Sequence, residues 1–300
     1  MIMAEKIGFV GLGIMGKPMA INLINSGYEV TVYDLFPDPV KELVSKGGAA
    51  GKSPADVASN SDITITMVQN SPQSESAILG EDGVLDGSQP GSLIIDMSSI
   101  EPGTSKVIGP RCEEKKVGFL DAPVSGGEPF AISGDLAIMA GGSANSFERA
   151  KPIFEVLGKS SVLCGDYGAG NVVKLANQIC VASNIFGLAE AMVLASKSGV
   201  NPETVFEAIK GGLAGSNVMN AKGPMMFNRD FKPGFRIELH HKDLNNAMAT
   251  AKDLNTPLIL TAQLQQILST LVEWGEGAQD HSGMLLFAEK LSNVEVKKFS

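Results

Sequence analysis

The stretch KIGFVGLGIMGKPMAINLINSGYEVTVYD, residues 6–34, sets the fold class. KIGFVGLG is a short apolar run that ends in glycines. IMGKPMAINLINSG then has helical spacing, with Pro18 in the first turn, where its missing N–H is no loss, and Gly27 as a stop. YEVTVYD alternates and is β-branched, which reads as a second strand. Gly11, Gly13 and Gly16 stand in G-x-G-x-x-G spacing, and the second strand ends in Asp34, 18 residues after Gly16. In a chain with 34 glycines the spacing alone is weak, and the bland reading is a structural turn. The strand before it, the helix after it and the acidic residue turn it into a dinucleotide-binding fingerprint. The first glycine makes the tight turn, the second lets backbone approach a pyrophosphate, and the third packs helix on strand. Gly11, Leu12, Gly13, Ile14, Met15 and Gly16 are therefore expected to cradle a dinucleotide at a helix N-terminus. Asp34 can accept hydrogen bonds from ribose hydroxyls and would repel a 2′-phosphate. No arginine adjoins it in YDLF, so NAD(H) is favoured over NADP(H), with NADP(H) possible if another loop supplies a cation.

Outward from this unit, strand and helix keep alternating. PDPVKELVSKG and SPADVASN read as helices, the second with Ser53 as N-cap and Pro54 at the first helical position. DITITMV and SLIIDMSS read as strands, followed by a helix around TSKVIGPRCEEKK. VGFLDAPV, DLAIMAGG and a strand near 161–164 complete the series, with a helix near 144–157. Such alternation predicts an α/β Rossmann-type parallel sheet covered on both faces. After Gly170 the strand signals stop. Residues 169–198 read as one long apolar helix, and helical patterns follow at 202–211, 236–253 and 257–273. The expected organisation is a nucleotide-binding domain, 1–165, and an all-α domain, 166–300, with the long helix at the junction. GGAAGKS at 47–53 is not a P-loop, because the required first glycine is Lys46.

A net charge of −9 and no Lys/Arg run longer than two argue against a nucleic-acid partner. Three widely spaced cysteines without a CxxC suit reduced thiols in a cytoplasm. The N-terminus has no signal-peptide pattern, and no uninterrupted apolar run nears the roughly 18 residues of a membrane span. Metal binding is not expected, because HExxH and clustered Cys/His spacings are absent and His240 and His241, adjacent on a helix, point about 100° apart.

Three patches carry candidate chemistry. DAPVSGGE, 121–128, ends a predicted strand, where an open α/β sheet binds ligands. The Ser125 hydroxyl and the unobstructed N–H groups of Gly126 and Gly127 suit a carboxylate, against the plainer reading of a glycine turn. A serine-hydrolase elbow fails, because Pro123 stands where glycine is needed. In DYGAGNVVKLANQ, 166–178, Lys174, Asn177 and Gln178 lie at i, i+3 and i+4 and so share one helix face among apolar neighbours. A buried lysine is costly and its pKa is pushed down, towards the range a proton donor needs. Lys174 is thus a candidate general acid/base with Asn177 and Gln178 as orienting or substrate-binding groups; the alternative is a snorkelling surface lysine. FKPGFRIELHHKDLNNA, 231–247, places Lys242 and Asp243 in a helix, which by itself reads as a solvated charged face.

FVGLGIMGKPMA, DMSSI, DAPVSGGEP, GAGNVVKLANQ, GGLAGS, FKPGFRIELHHKDL and DHS occur in one order along nearly the whole chain. Together they resemble the β-hydroxyacid dehydrogenase family, 3-hydroxyisobutyrate dehydrogenase-like, and most its tartronate semialdehyde reductase branch. The resemblance implies NAD(P)H-dependent reduction of tartronate semialdehyde to glycerate by a homodimer or homotetramer. It implies Lys174 as the catalytic residue, Ser125, Gly126, Gly127 and Asn177 on the substrate, and Asp243 in support of Lys174. Lys242 would lie near the cofactor, and Met67, Val68, Asn70 and Ser99 would line its cleft. Gln178 stands where many relatives have a second asparagine. 3-Hydroxyisobutyrate, succinic or glyoxylic aldehydes are alternative substrates. A sugar-phosphate dehydrogenase finds few basic residues, and a non-catalytic dinucleotide-binding module would not need Lys174.

Overall fold

A computed structural model of the chain describes residues 5–299. Contacts divide it into two units, and the division falls between Lys174 and Leu175, inside a long helix.

In the first unit the elements run β1 Ile7–Val10, α1 Gly16–Asn25, β2 Val30–Tyr33, α2 Pro37–Ser45, β3 Ala49–Ala50, α3 Pro54–Ser59, β4 Ile63–Thr66, α4 Ser71–Leu79 and α5 Val84–Gly87. They continue with β5 Leu93–Asp96, α6 Pro102–Glu114, β6 Gly118–Asp121, β7 Val124–Ser125, α7 Gly127–Ser133, β8 Leu136–Gly142, α8 Ala144–Leu157 and β9 Gly158–Gly165. The sheet order β3-β2-β1-β4-β5-β6 is parallel throughout. This is the doubly wound order, with the direction of winding reversing between β1 and β4.

Period-two alternation explains the two layers. Ile7, Phe9, Ile63, Ile65, Leu93 and Ile95 face a core shared with Met19 and Leu23 of α1 and Phe154 of α8. Val10, Ile94 and Phe119 face the other way, onto Val57 of α3 and Ile108 of α6. Ser53 caps α3 as its position predicts, accepting from Asp56 N–H at 3.1 Å.

The parallel expectation needs one correction at an edge. β8 runs antiparallel to β6 and then to β7, and only β9 returns parallel to β8. The chain between β6 and β8 spends its length on β7 and the seven-residue α7. No full helical crossover remains to restore the strand direction.

The second unit is helical among the described residues. The junction helix is α9, Ala169–Lys197, and α10 Pro202–Ile209, α11 Asn217–Asn228, α12 Ile237–Asp253, α13 Ile259–Glu273 and α14 Met284–Ser292 follow. Ile185 and Met192 of α9 join Met226, Ile237, Leu268 and Leu285 in one core. With a mean hydropathy of 1.7 over 18 residues, α9 meets the bare length and composition requirement of a membrane span, a test that core helices also pass. α11 and α14 are additions to the helices read from sequence.

Candidate functional site

The geometry of the glycine loop assigns each glycine a separate duty. Gly11 has φ +95°, and a Cβ there would lie 2.3 Å from the Met67 carbonyl oxygen. A Cβ on Gly16 would lie 2.0 Å from the Gly11 carbonyl oxygen, so α1 and the loop approach as closely as backbone allows. A Cβ on Gly13 meets nothing within 4 Å. That residue therefore has no packing reason to be glycine, and its open side lies at the carboxyl end of β1, beside the switch point. This is the arrangement a pyrophosphate needs: space, backbone N–H groups and a helix N-terminus. Ile14 is exposed and Met15 half-buried, whereas the Leu12 side chain is in the core.

Asp34 braces this loop. Its Oδ2 accepts from Leu12 N–H at 2.6 Å and its Oδ1 from Phe36 N–H at 2.8 Å. An ionised carboxylate has about four acceptor positions, so both oxygens keep capacity for ribose hydroxyls. Leu35 and Phe36 beside it are 83% and 72% exposed.

The ends of β4 and β5 are cross-tied. Thr66 Oγ1–H donates to Asp96 Oδ1 at 2.9 Å, Ser98 N–H to the same oxygen at 3.1 Å, and Val68 N–H to Ser98 Oγ at 2.9 Å. Asp96 is fully buried, and burial raises its pKa above the usual carboxylate range. Met67 and Val68 thus sit at a fixed height above the switch point. Asn70 caps α4, accepting from Gln73 N–H at 3.0 Å, and Ser99 lies half-buried in the loop before α6.

Ser125 ends β7, in register with Ala137 of β8. Gly126 and Gly127 have φ +142° and +71°, values that favour glycine, and a Cβ on Gly126 would meet Phe130 at 2.6 Å. The two glycines directly follow Ser125 in the chain, so their N–H groups lie next to it along the backbone.

The start of α9 is built around Asp121, at the end of β6. Asp121 Oδ1 accepts from Gly168 N–H at 2.7 Å and Oδ2 from Asn171 N–H at 2.8 Å. Asn171 accepts from Ile100 N–H at 3.1 Å and donates to Ser105 Oγ at 3.2 Å. One turn further stands Lys174, only 5% exposed, while Val172 and Val173 are 43% and 39% exposed. The polarity of this turn is inverted relative to an ordinary amphipathic helix, and the snorkelling reading of Lys174 falls. Sequence reasoning named neither Asp121 nor Asn171. The signal available was an Asp ending each of two neighbouring strands, Asp96 and Asp121, which the sheet pairs in register.

Within the second unit, Asn177 Nδ2–H donates to Gln178 Oε1 at 2.9 Å, and Gln178 Nε2–H to Asp243 Oδ2 at 2.6 Å. Lys242 Nζ lies 3.1 Å from Asp243 Oδ1. His240 Nε2–H donates to the Gln178 carbonyl at 3.1 Å, and His240 and His281 share a hydrogen bond between their Nδ1 atoms at 2.9 Å. A carbonyl only accepts, so a neutral His240 carries its proton on Nε2 and His281 donates from Nδ1. These two histidines are 41 residues apart in the chain. Among the described residues no group of three or more His, Cys, Asp or Glu is placed to hold a metal.

Residues 6–167 match the family described as NAD binding domain of 6-phosphogluconate dehydrogenase. Residues 168–288 match the one described as NAD-binding of NADP-dependent 3-hydroxyisobutyrate dehydrogenase. The 2-hydroxy-3-oxopropionate reductase of Escherichia coli (strain K12) is 44% identical over 96% of this chain and 98% of its own. The chain belongs to the β-hydroxyacid dehydrogenases, of the 3-hydroxyisobutyrate dehydrogenase type. This β-hydroxyacid dehydrogenase is also 40% identical to the 2-(hydroxymethyl)glutarate dehydrogenase of Eubacterium barkeri, over 97% of both chains. Among solved structures, the Mycobacterium tuberculosis 3-hydroxyisobutyrate dehydrogenase with L-serine is similar at TM-score 0.87 and 29% identity, covering 95% of this chain and 99% of that one. The protein is an NAD(P)-dependent oxidoreductase that acts on a small hydroxyacid.

Proposed function

We propose that the enzyme reduces 2-hydroxy-3-oxopropionate, tartronate semialdehyde, to glycerate, reversibly. The observation that carries this reading is the 44% identity to the E. coli reductase along nearly both whole chains. When bound, the reduced nicotinamide supplies the hydride that the aldehyde carbon receives. Gly11, Gly13 and Gly16 hold the pyrophosphate, Asp34 the adenosine ribose, and Met67, Val68, Asn70, Ser99 and Lys242 line the rest of the cofactor's place. Lys174 holds a proton on Nζ and gives it to the aldehyde oxygen as that oxygen gains charge. The Ser125 hydroxyl and the Gly126 and Gly127 N–H groups bind the substrate carboxylate, and Asn177 orients the substrate. Gln178 steadies Asn177, and Asp243 supports the set through Gln178. The functional division at 165/166, a homodimer or homotetramer, and a cytoplasmic location belong to the same proposal.

A second reading is supported by the 40% identity to the 2-(hydroxymethyl)glutarate enzyme, which would make the substrate a longer dicarboxylate. Initial rates on tartronate, methylmalonate and succinic semialdehydes, glyoxylate and, in the reverse direction, 2-(hydroxymethyl)glutarate decide between them. Tartronate semialdehyde should lead in kcat/KM by about 10-fold or more, the discrimination a few pocket contacts supply. A lead for any other compound overturns the substrate and leaves the reaction class.

Asp34→Ala carries its own prediction. Loss of the carboxylate removes repulsion of a 2′-phosphate, and loosens the loop for both cofactors by freeing Leu12 N–H. The KM for NADH should rise more than that for NADPH, so the ratio of their kcat/KM values falls about 10-fold, the worth of a hydrogen bond to a charged group. An unchanged ratio assigns Asp34 to loop bracing alone.

A further inference from the structure

We propose that Asp121 is the positioning residue for Lys174, fixing the first turn of α9 to the end of β6; this rests on the role given to Lys174 above. Asp121 is wholly buried, and each of its oxygens takes one N–H of that turn, from Gly168 and from Asn171. The surroundings are cut to fit it. A Cβ on Gly141 would lie 2.5 Å from Asp121 Oδ1, and one on Gly170 would lie 2.5 Å from the Asp121 carbonyl oxygen and 2.9 Å from Oδ2. A carboxylate at a helix N-terminus also satisfies N–H groups that have no intrahelical partner. Asn171 ties the same turn sideways to Ile100 and Ser105. Lys174 follows Asn171 by three residues, so its height and bearing are set by how that turn is seated.

Two oxygens that each accept an N–H suit the ionised form. A protonated carboxyl makes one oxygen a hydroxyl, a poorer acceptor with a proton of its own to place, and the clamp loosens. Burial, and secondarily Asp96 on β5, raise Asp121 to about 6, against the lowering by the two N–H groups. Of the other titratable groups, Cys164 on β9 feels the Asp121 charge, Lys106 on α6 runs its methylenes along Gly168, and Asp166 and Tyr167 immediately precede Gly168 in the clamped turn. Turnover should therefore fall as pH drops through about 6 while the fold persists.

The test uses full-length enzyme and Asp121→Asn. The amide keeps one acceptor and aims a donor at the other N–H. With tartronate semialdehyde, kcat should drop about 100-fold, the cost of misplacing a catalytic group by about 1 Å. The KM for dinucleotide should stay within about twofold and the acid limb near pH 6 should vanish from the kcat profile, because the carboxamide that replaces the carboxylate does not titrate there. A merely structural Asp121 would lower melting temperature and kcat together and leave the acid limb in place. Amide hydrogen exchange gives an arm independent of substrate: in the variant, amides 168–172 should exchange at least about 10-fold faster, with β1, β4 and β5 unchanged. In the wild type the same amides should lose protection, relative to intrinsic rates, below about pH 6. Wild-type kcat flat from pH 5 to 7, or unchanged exchange at the start of α9, overturns the clamp. If the wild type reduces none of the semialdehydes, the proposed activity fails and the exchange arm still decides Asp121. If the variant does not fold, the two wild-type pH measurements decide it.

Discussion

Lys174→Ala should abolish most turnover while leaving a folded, dinucleotide-binding protein. General acid–base catalysis by a positioned side chain contributes about 10²–10⁴-fold, and kcat should fall by that much. The KM for NADH should barely change, because the glycine loop, Asp34 and the β4 and β5 loops proposed to hold the dinucleotide do not include this residue. Stability should not suffer in proportion. With only 5% of its surface exposed, the Lys174 ammonium bears a desolvation cost that alanine removes. Thermal melting and kcat therefore separate in this variant, which excludes unfolding as the cause of inactivity. Lys174→Arg sharpens the result. A guanidinium with a pKa above about 12 gives up its proton too reluctantly to act near neutrality, and its planar fork presents its donors differently from a compact ammonium. Conserving the charge should therefore not restore the rate, whereas a small primary amine added to Lys174→Ala should restore part of it. Turnover near wild type in either variant rules out lysine as the proton donor.

The features legible in the sequence were those written in short-range chemistry. The glycine spacing, the Ser53 cap and the helices at 144–157 and 169–198 each depend on residues within a few positions of one another, and the structure has α8 at Ala144–Leu157 and α9 at Ala169–Lys197. α11 was hidden because Gly223 and Pro224 read as breakers. In the fold Gly223 is there for packing, since a Cβ would lie 2.7 Å from the Phe206 ring of α10, and Ser216 caps the helix from outside. α7 was hidden inside what reads as a glycine turn. The reversal of β8 is a property of the connection rather than of any residue in the strand. At the candidate site the same division holds. Lys174 stood out because an ammonium in an apolar helix is anomalous locally. Asp121 did not, because a lone Asp at a strand end is ordinary until the partner N–H groups, 47 and 50 residues away, are seen. The polar links of the second unit were invisible for the same reason. His240 and His281 meet across 41 residues, and Gln178 meets Asp243 across 65.

The glycine loop offers the clearest separation of structure from function, because two of its glycines should respond oppositely to one methyl group. Gly16→Ala drives a Cβ to 2.0 Å from the Gly11 carbonyl oxygen, backbone against backbone, with no side chain able to give way. Overpacking of this kind costs about 3 kcal/mol. In a protein of this size that lowers the melting temperature by roughly 5–10 °C. Gly13→Ala places its methyl in open space, and Gly13 is not among the positive-φ glycines, so stability should stay within about 0.5 kcal/mol, the range of ordinary surface changes. The methyl nevertheless stands where a pyrophosphate would come against the backbone. Losing one N–H contact to a charged phosphate costs about 1.5–3 kcal/mol, so the dinucleotide Kd should rise about 10- to 100-fold. Melting curves and fluorescence titration with NADH on the two variants read both effects. If Gly13→Ala binds the dinucleotide like wild type, the phosphates lie elsewhere and the loop is only a turn. If instead it melts early, the space beside Gly13 is not open and the argument from the missing Cβ fails. The expected pattern, one variant weakened in the fold and the other in binding, follows from contacts of the chain with itself. It therefore tests the cofactor site without relying on any particular substrate.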